Sequence, residues 1–210
     1  AGRMLDGKSL APLFSSGDFW NTNPEKIANE LALRRESITS TDCSYRSYTR
    51  TRIFGALAYS VVLYGRMDSG THQFHPTYLS IIFANAGDLP PNPAMLETAT
   101  KKDTEAIQSV LTSLLGQPVL APFGNASDNR QEMRRWDCSG TSFLLPAFNK
   151  SYTSLKIVPS TVADRGGVVD VVPRDELGVL LAGRVNQAAN GDVTIKDIPM
   201  VDQGPHSYCV

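Results

Sequence analysis

One long helical pattern, at residues 94 to 115, divides the strand-like segments of this sequence into two groups. Its apolar stripe consists of Met95, Ile107, Val110, Leu111, Leu114 and Leu115. Gly116 predicts the end of the helix, with Pro118 just beyond it, and a Pro-rich stretch at 89–93 precedes its start. A helix with one apolar side must pack against a partner surface, and the flanking strand patterns can supply a sheet.

Six runs of alternating or continuous apolar residues predict the strands of that sheet. Three runs precede the helix, namely a run that starts at Cys43 and the segments 56–64 and 78–84, and three follow it, at 132–137, 141–147 and 154–158. A short surface helix is predicted after Asn23, which can cap it, with Pro24 in its first turn. Together these elements predict an α+β fold, an antiparallel sheet with covering helices, over roughly residues 10–160.

Composition limits the classes of function. The 210 residues are 41% hydrophobic and 20% charged, with a net charge of -1, so the chain can bury a core and is not of the disordered type. Basic residues are scattered, and this predicts no nucleic-acid partner and no anionic membrane surface. The longest apolar stretch, 53–64, is too short for a membrane span.

Beyond the predicted sheet domain the pattern changes. Residues 159–167 read as a linker, and 173–185 predict a helix that two glycines weaken. The pair Asn190-Gly191 is typical of a hairpin turn, with Val193 and Ile195 alternating on the outgoing strand.

The number of cysteines is odd, so one thiol must be free or paired with another chain. The chain has three cysteines, Cys43, Cys138 and Cys209, which cannot all pair within one chain. Cys43 and Cys138 would form one disulfide if the protein is exported, or would be buried thiols in a reducing compartment.

The segment 199–210 carries the most specific motif. Gln203 lies six residues before Cys209, Gly204 follows the glutamine, and a short polar stretch connects them. This spacing resembles the start of the catalytic domain in papain-like cysteine peptidases. The resemblance implies that Cys209 is the nucleophile and that Gln203, with the backbone amide of Cys209, donates to the oxyanion. Papain has a cysteine and a tryptophan where this chain has His206 and Val210, so the relationship is distant.

The wider layout is also similar to bacterial proteins that carry a papain-like or bacteriocin-exporter-type peptidase domain at the C-terminal end. It implies an N-terminal accessory domain at 1–160, a linker and helix at 161–184, and a hairpin with the truncated start of a catalytic domain at 185–210. The catalytic His and an Asn or Asp would come from the remainder of the same polypeptide, and the substrate would be a peptide or protein. The chain starts without an initiator Met, and we expect a secreted or periplasmic protein whose signal peptide has been removed.

Other side chains suggest no cofactor. His72 and His75 lie in a polar loop with Asp68, but no further residue stands at a familiar ligand spacing, so solvated loop histidines are expected and no metal site is predicted. Trp136, beside two arginines, would be either a ligand platform or, as we expect, a strand residue packed on the long helix.

Two hypotheses from different classes follow. The first is that the chain is the N-terminal part of a bacterial papain-like cysteine peptidase, inactive as these 210 residues alone. The alternative is a non-catalytic secreted or periplasmic module that binds a partner or inhibits a protease domain as a propeptide does. In that case the helix 94–115 and the Pro-rich stretch before it would be the contact elements.

Overall fold

A computed structural model describes residues 10, 13, 17–47, 50–85, 92–124, 131–147, 152–167, 182 and 184–195. The strands are β1 (Arg34–Ile38), β2 (Asp42–Ser47), β3 (Thr51–Ile53), β4 (Ala56–Ala58), β5 (Ser60–Met67), β6 (Phe74–Asn85), β7 (Val119–Phe123), β8 (Gln131–Cys138), β9 (Thr141–Pro146), β10 (Tyr152–Pro159), β11 (Val185–Gln187) and β12 (Val193–Ile195). The helices are a 3-10 helix (Gly17–Asn21), α1 (Pro24–Glu30), α2 (Pro93–Leu115) and α3 (Ser160–Asp164).

Eight of the strands form one antiparallel sheet in the order β1-β2-β5-β6-β10-β9-β8-β7. Strand β6 precedes α2 in the chain and lies at the centre of the sheet, whereas β7 follows α2 and lies at an edge. The long helix therefore connects the half β1-β2-β5-β6 to the half β10-β9-β8-β7. Two further pairs, β3 with β4 and β11 with β12, form separate hairpins. The α+β fold class with an antiparallel sheet and covering helices is therefore confirmed.

One face of the sheet, the core face, packs against α1, α2 and the 3-10 helix. Side chains alternate along a strand, and on β10 Leu155 and Ile157 point into this core while Lys156 points away. From α2, Ile107 and Leu111 enter the same core and are fully buried. The centre of the predicted apolar stripe, with the partly buried Leu115, thus packs on the predicted sheet and buries apolar surface. Met95 and Leu114, which the sequence pattern also places in the stripe, are exposed.

The helix ends follow the predicted capping chemistry. The Asn23 side chain accepts a hydrogen bond of 2.8 Å from the amide of Glu25 at the start of α1. Asn92 accepts from the amides of Ala94 and Met95 at the start of α2. Helix α2 stops at Gly116, whose φ of +88° is a left-handed conformation that glycine adopts without strain.

The opposite side of the sheet, the second face, carries a smaller cluster made by Met133, Leu144, Val158 and Ala163. Ala163 belongs to α3, a helix within the segment that the sequence pattern assigns to a linker. Three contacts hold this segment to the sheet. The amide of Gly124 donates to Gly166 O at 2.8 Å, Arg135 Nη2 donates to Asp164 Oδ1 at 2.6 Å, and the backbone of Gly167 packs on the Phe123 ring. Residues 160–167 therefore pack on the sheet and are not a linker. The sequence pattern does not show this because the contacts come from strands that are distant in sequence.

Several strands escaped the sequence pattern. Strand β1 is exposed at nearly every position and charged at three of five, so it shows no apolar alternation. Strand β7 is the other edge of the sheet and contains Pro122, a residue tolerated on an edge strand because its missing N–H needs no partner there. The predicted strand 56–64 is divided at Tyr59. Its first part is β4, which pairs with β3 in a hairpin, and its second part belongs to β5.

The hairpin around Asn190-Gly191 is confirmed: β11 and β12 pair antiparallel, and Gly191 has a φ of +89°. The helix predicted at 173–185 lies almost entirely outside the described residues, and its last residue, Val185, begins β11. Among the helices that the structure describes, none has the length and apolarity needed to cross a membrane.

Candidate functional site

The three polar residues of the C-terminal motif, Gln203, His206 and Cys209, lie outside the described residues. The last residue that the structure describes before them is Ile195, at the end of β12. The predicted roles of Cys209 as nucleophile and Gln203 as oxyanion donor therefore stay predictions. What the structure does describe is the environment of the other two cysteines and of the sheet domain.

Cys43 is a core residue. It lies on β2, is 1% exposed, and its Sγ packs so closely on Gly65 that a Cβ added to that glycine would lie 2.8 Å from the sulfur. Burial raises the pKa of the Cys43 thiol to about 11; the negative charge of Asp42 adds to the rise, and a backbone hydrogen bond with Gly65 opposes it. The thiol stays protonated near neutral pH, which is the opposite of what a nucleophile needs.

Cys138 ends β8, is half-buried and lies 3.6 Å from Ser139 Oγ. Both Cys43 and Cys138 are thiols in the structure, so the possible disulfide between them is not formed. Strands β5, β6, β10 and β9 lie between β2 and β8 in the sheet. At about 4.8 Å per strand this separation is about 24 Å along the sheet, whereas bridged cysteines have Cα atoms about 4.4–6.8 Å apart.

Of the two histidines predicted in a solvated loop, His72 lies in the turn between β5 and β6, whereas His75 is a half-buried residue of β6 that pairs with Arg66 of β5. His72 is exposed, and Asp68 Oδ1 accepts hydrogen bonds from the amides of Gly70 and Thr71 at 3.0 and 2.7 Å. These bonds, above all those from Thr71, lower the pKa of the Asp68 carboxyl. Within the described ranges, no group of three or more His, Cys, Asp or Glu side chains could hold a metal ion. The Asp68 carboxylate shapes the turn.

Trp136 packs on the long helix, as expected. It is 2% exposed, belongs to the same core cluster as Ile107 and Leu111, and its Nε1 donates to Gly116 O at 3.0 Å. The neighbouring arginine points to the second face, where its guanidinium joins strand and helix: Arg135 binds Asp137 Oδ1 at 2.9 Å and Asp164 Oδ1 at 2.6 Å. Both residues therefore stabilise the fold.

A cleft of about 250 Å³ opens between the β3–β4 hairpin and the middle of α2, and we call it the hairpin cleft. It exists because small residues line it, namely Gly55, Ala84, Ala99 and Ala106. Gly55, at the hairpin turn with a φ of +81°, approaches the helix so closely that an added Cβ would lie 3.5 Å from Ala106 Cβ. The hairpin turn is thereby fixed on the helix, and the space beside it stays open.

Charged groups surround this cleft. Arg52 enters from the hairpin, where its Nη1 donates to Gly55 O at 3.2 Å, and Lys102 and Asp103 enter from α2. Arg50 lies beside it, with its guanidinium carbon 4.8 Å from the centre of the Tyr59 ring. Burial raises the pKa of the Asp103 carboxyl, and the positive charges of Lys102 and Arg52 oppose the rise. The cleft is therefore lined by two cations and one partly desolvated carboxyl, and a third cation, Arg50, contacts the Tyr59 ring of its lining.

Comparisons with known proteins add no assignment. No protein-family model matches the chain, and neither the curated proteins nor the solved structures give a match.

The hairpin cleft is a feature that the sequence pattern did not reveal. Its basic residues stand in two short segments about fifty residues apart, Arg50-Thr51-Arg52 and Lys101-Lys102-Asp103. Each segment alone reads as an ordinary solvated surface. The available signal was the concentration of alanine on one side of the predicted helix, which permits close approach of another element but does not say which one.

Proposed function

We propose that this chain is the N-terminal part of a papain-like cysteine peptidase in which residues up to about 167 form an accessory domain and Cys209 is the nucleophile. The observation that carries the proposal is the spacing from Gln203 to Cys209 in a chain with an odd number of cysteines. The environments of the other cysteines support it. Cys43 is a core thiol whose raised pKa is the opposite of what an activated thiolate needs, and Cys138 lies half-buried at a strand end.

The chemistry would follow the family that the motif resembles. The Cys209 thiolate attacks the carbonyl carbon of the scissile peptide bond, while the Gln203 side-chain amide and the Cys209 backbone amide stabilise the oxyanion. The amine product leaves with a proton from a histidine, and water then hydrolyses the thioester to release the acid and restore the thiol.

The histidine that this reaction needs is not found in the sheet domain. His72 lies in the β5–β6 turn and His75 lies on β6. His206 stands three residues from Cys209 in sequence, too close to face the sulfur from another part of the domain. The proposal therefore requires a His and an Asn or Asp supplied by residues beyond Val210. The 210 residues alone are expected to be inactive.

The test is alkylation with iodoacetamide of the polypeptide as it is encoded, with every residue that follows Val210. Site-resolved mass spectrometry gives the rate at each cysteine. We expect Cys209 to react at pH 6.5 at least about ten times faster than Cys138, because an activated cysteine is a thiolate well below the usual thiol pKa. Gln203→Ala should abolish peptide hydrolysis while leaving this alkylation rate within about threefold. Equal rates at Cys209 and Cys138 would remove the basis of the proposal.

A second candidate function is a non-catalytic binding module, and the hairpin cleft favours it. The cleft lies against α2, the element that the sequence analysis names as a contact surface. The two functions are not exclusive, because an accessory domain can bind a ligand beside a peptidase. Ordinary thiol reactivity at Cys209, together with ligand binding in the cleft, would leave the module as the function of the chain.

A further inference from the structure

We propose that the hairpin cleft binds a small organic anion, in which one anionic group is joined to a compact apolar body. This inference does not rest on the peptidase proposal, since every residue that carries it belongs to the described sheet domain. The arrangement of charge, the size of the cleft and the chemistry of its lining point to the same class of ligand.

The charge of the cleft favours an anion. Arg52 and Lys102 line it and Arg50 lies at its side, whereas Asp103 is its one carboxyl. In the described part of the chain, Asp103 makes no ion pair within 4.0 Å of either lining cation. The two cations therefore keep donors for a ligand, and they carry one positive charge in excess of the carboxylate before Arg50 is counted.

The lining favours an apolar body. Between the charged groups lie the side chains of Leu57, Ala84, Ala99 and Ala106 and the ring of Tyr59. Burial of apolar ligand atoms against such a surface stabilises a complex by about 25 cal/mol per Å². A bare inorganic ion would leave this surface in water.

The size sets an upper limit. The cleft has a volume of about 250 Å³, below the roughly 300–1,000 Å³ of pockets for drug-sized ligands. A ligand of about ten to fourteen non-hydrogen atoms fits this range, and affinities in the millimolar to high micromolar range are expected for it. N-acetyl-leucine, a carboxylate on a branched apolar body, is a suitable probe, and butyl phosphate tests the phosphate as the anionic group.

The experiment is titration of the protein, followed by amide chemical shifts, with N-acetyl-leucine, butyl phosphate and the neutral N-acetyl-leucinamide. We expect shifts at Gly55 and along residues 99–106, with at least one anion binding about ten times more tightly than the neutral amide. Whichever of N-acetyl-leucine and butyl phosphate has the lower Kd shows whether the cleft prefers a carboxylate or a phosphate. If neither anion binds more tightly than the neutral amide, or if neither causes shifts in this region up to about 20 mM, the proposal is overturned.

Variants with a matched control locate the site. Lys102→Gln should weaken anion binding about fivefold or more, and Asp103→Asn should strengthen it about twofold or more, because it removes a repelling carboxylate. Lys101→Gln makes the same change of net charge on the same helix, but Lys101 does not line the cleft and faces Glu105 at 4.0 Å. Its effect should stay below about twofold. A Lys101→Gln effect equal to that of Lys102→Gln would mean that net charge alone attracts the anion, and the proposed site would be wrong.

Discussion

On the core face of the sheet, many apolar side chains meet helices α1 and α2, whereas on the second face a smaller apolar cluster meets α3 beside charged and aromatic pairs. The core face presents Leu79, Ile81 and Phe83 from the central strand β6, all fully buried. The second face has the Arg46–Glu36 pair at one end and the Arg135–Asp164 pair at the other. Burial of a large apolar cluster stabilises the core face, whereas the second face combines burial of a smaller cluster with ion pairs and aromatic contacts.

This difference has a consequence for where function can lie. The core face holds Cys43, and the second face holds the contacts that attach α3, so both are occupied by interactions that stabilise the domain. The hairpin cleft lies between the β3–β4 hairpin and α2, with Ala84 of β6 in its lining. These stabilising contacts do not fill it, so a ligand can enter there, while the proposed thiol chemistry belongs to the C-terminal motif.

The largest expected effect is a loss of stability on the core face. It is measured by comparing two adjacent residues of β6 that point to opposite faces of the sheet. Ile81 points into the core and is fully buried, whereas Ile82 points to the second face and is half-buried. Ile81→Ala should lower the free energy of unfolding by about 3–4 kcal/mol and Ile82→Ala by about 1 kcal/mol, as measured by urea denaturation. Equal losses would mean that the two faces are packed alike.

The buried thiol of the core face predicts a pH dependence. The folded pKa of Cys43 is raised from 9.0 to about 11, so the unfolded chain loses this proton first and stability falls as the pH rises from about 9 to 11. Between pH 8.5 and 10.5 the loss due to Cys43 is about 2 kcal/mol. In urea denaturation, the free energy of unfolding of the wild type should fall over this pH range by about 2 kcal/mol more than that of Cys43→Ala. Tyr45, whose pKa is also raised, contributes to both proteins.

Cys138→Ala is the matched control for this measurement. It removes a thiol from the end of β8 without changing the core around Cys43, and it should keep the pH dependence of the wild type. If Cys43→Ala and Cys138→Ala show the same pH dependence, the Cys43 thiol is not buried as described.

The attachment of α3 tests the second face. Arg135 has 12% of its side chain exposed and bridges Asp137 and Asp164. Arg135→Met keeps much of the apolar length and removes both hydrogen-bonded ion pairs, so it should cost about 1–2 kcal/mol in urea denaturation. Hydrogen exchange at Gly166 and Gly167, whose amides donate to Ala163 O and Val162 O, should accelerate more than exchange on β6. Uniform acceleration across the domain would contradict local attachment.

The smallest effect is expected at the aromatic part of the second face. Tyr64 and Tyr78 stack with ring centres 4.3 Å apart, and Lys156 Nζ lies 4.9 Å from the centre of the Tyr78 ring. Lys156→Gln should lower the free energy of unfolding by less than about 1 kcal/mol, because cation–π contacts near the surface are weak. A loss above about 2 kcal/mol would place this lysine among the main supports of the sheet.

The sequence predicted the core face well because its signals are local. Alternation on β10, the buried part of the α2 stripe, the cap at Asn23 and the helix end at Gly116 each depend on residues a few positions apart. The strand at Arg34–Ile38 escaped because an edge strand with charged side chains lacks that alternation.

The second face and the cleft depend on partners that are distant in sequence. Helix α3 is only five residues long, and its position depends on Arg135 and on the segment around Gly124. The hairpin cleft combines a turn at Gly55 with Lys102 and Asp103. No periodic pattern encodes either pairing, and so the sequence indicated a linker for the first and only a contact helix for the second.

The rate of iodoacetamide alkylation at each of the three cysteines, in the polypeptide as encoded, tests the central claim most directly. The account predicts that Cys209 reacts at pH 6.5 at least about ten times faster than Cys138, and that Cys43, with its buried thiol, reacts only when the protein unfolds. Alkylation of Cys209 at the rate of an ordinary exposed thiol, or faster labelling of Cys43 or Cys138 in the folded protein, would contradict it.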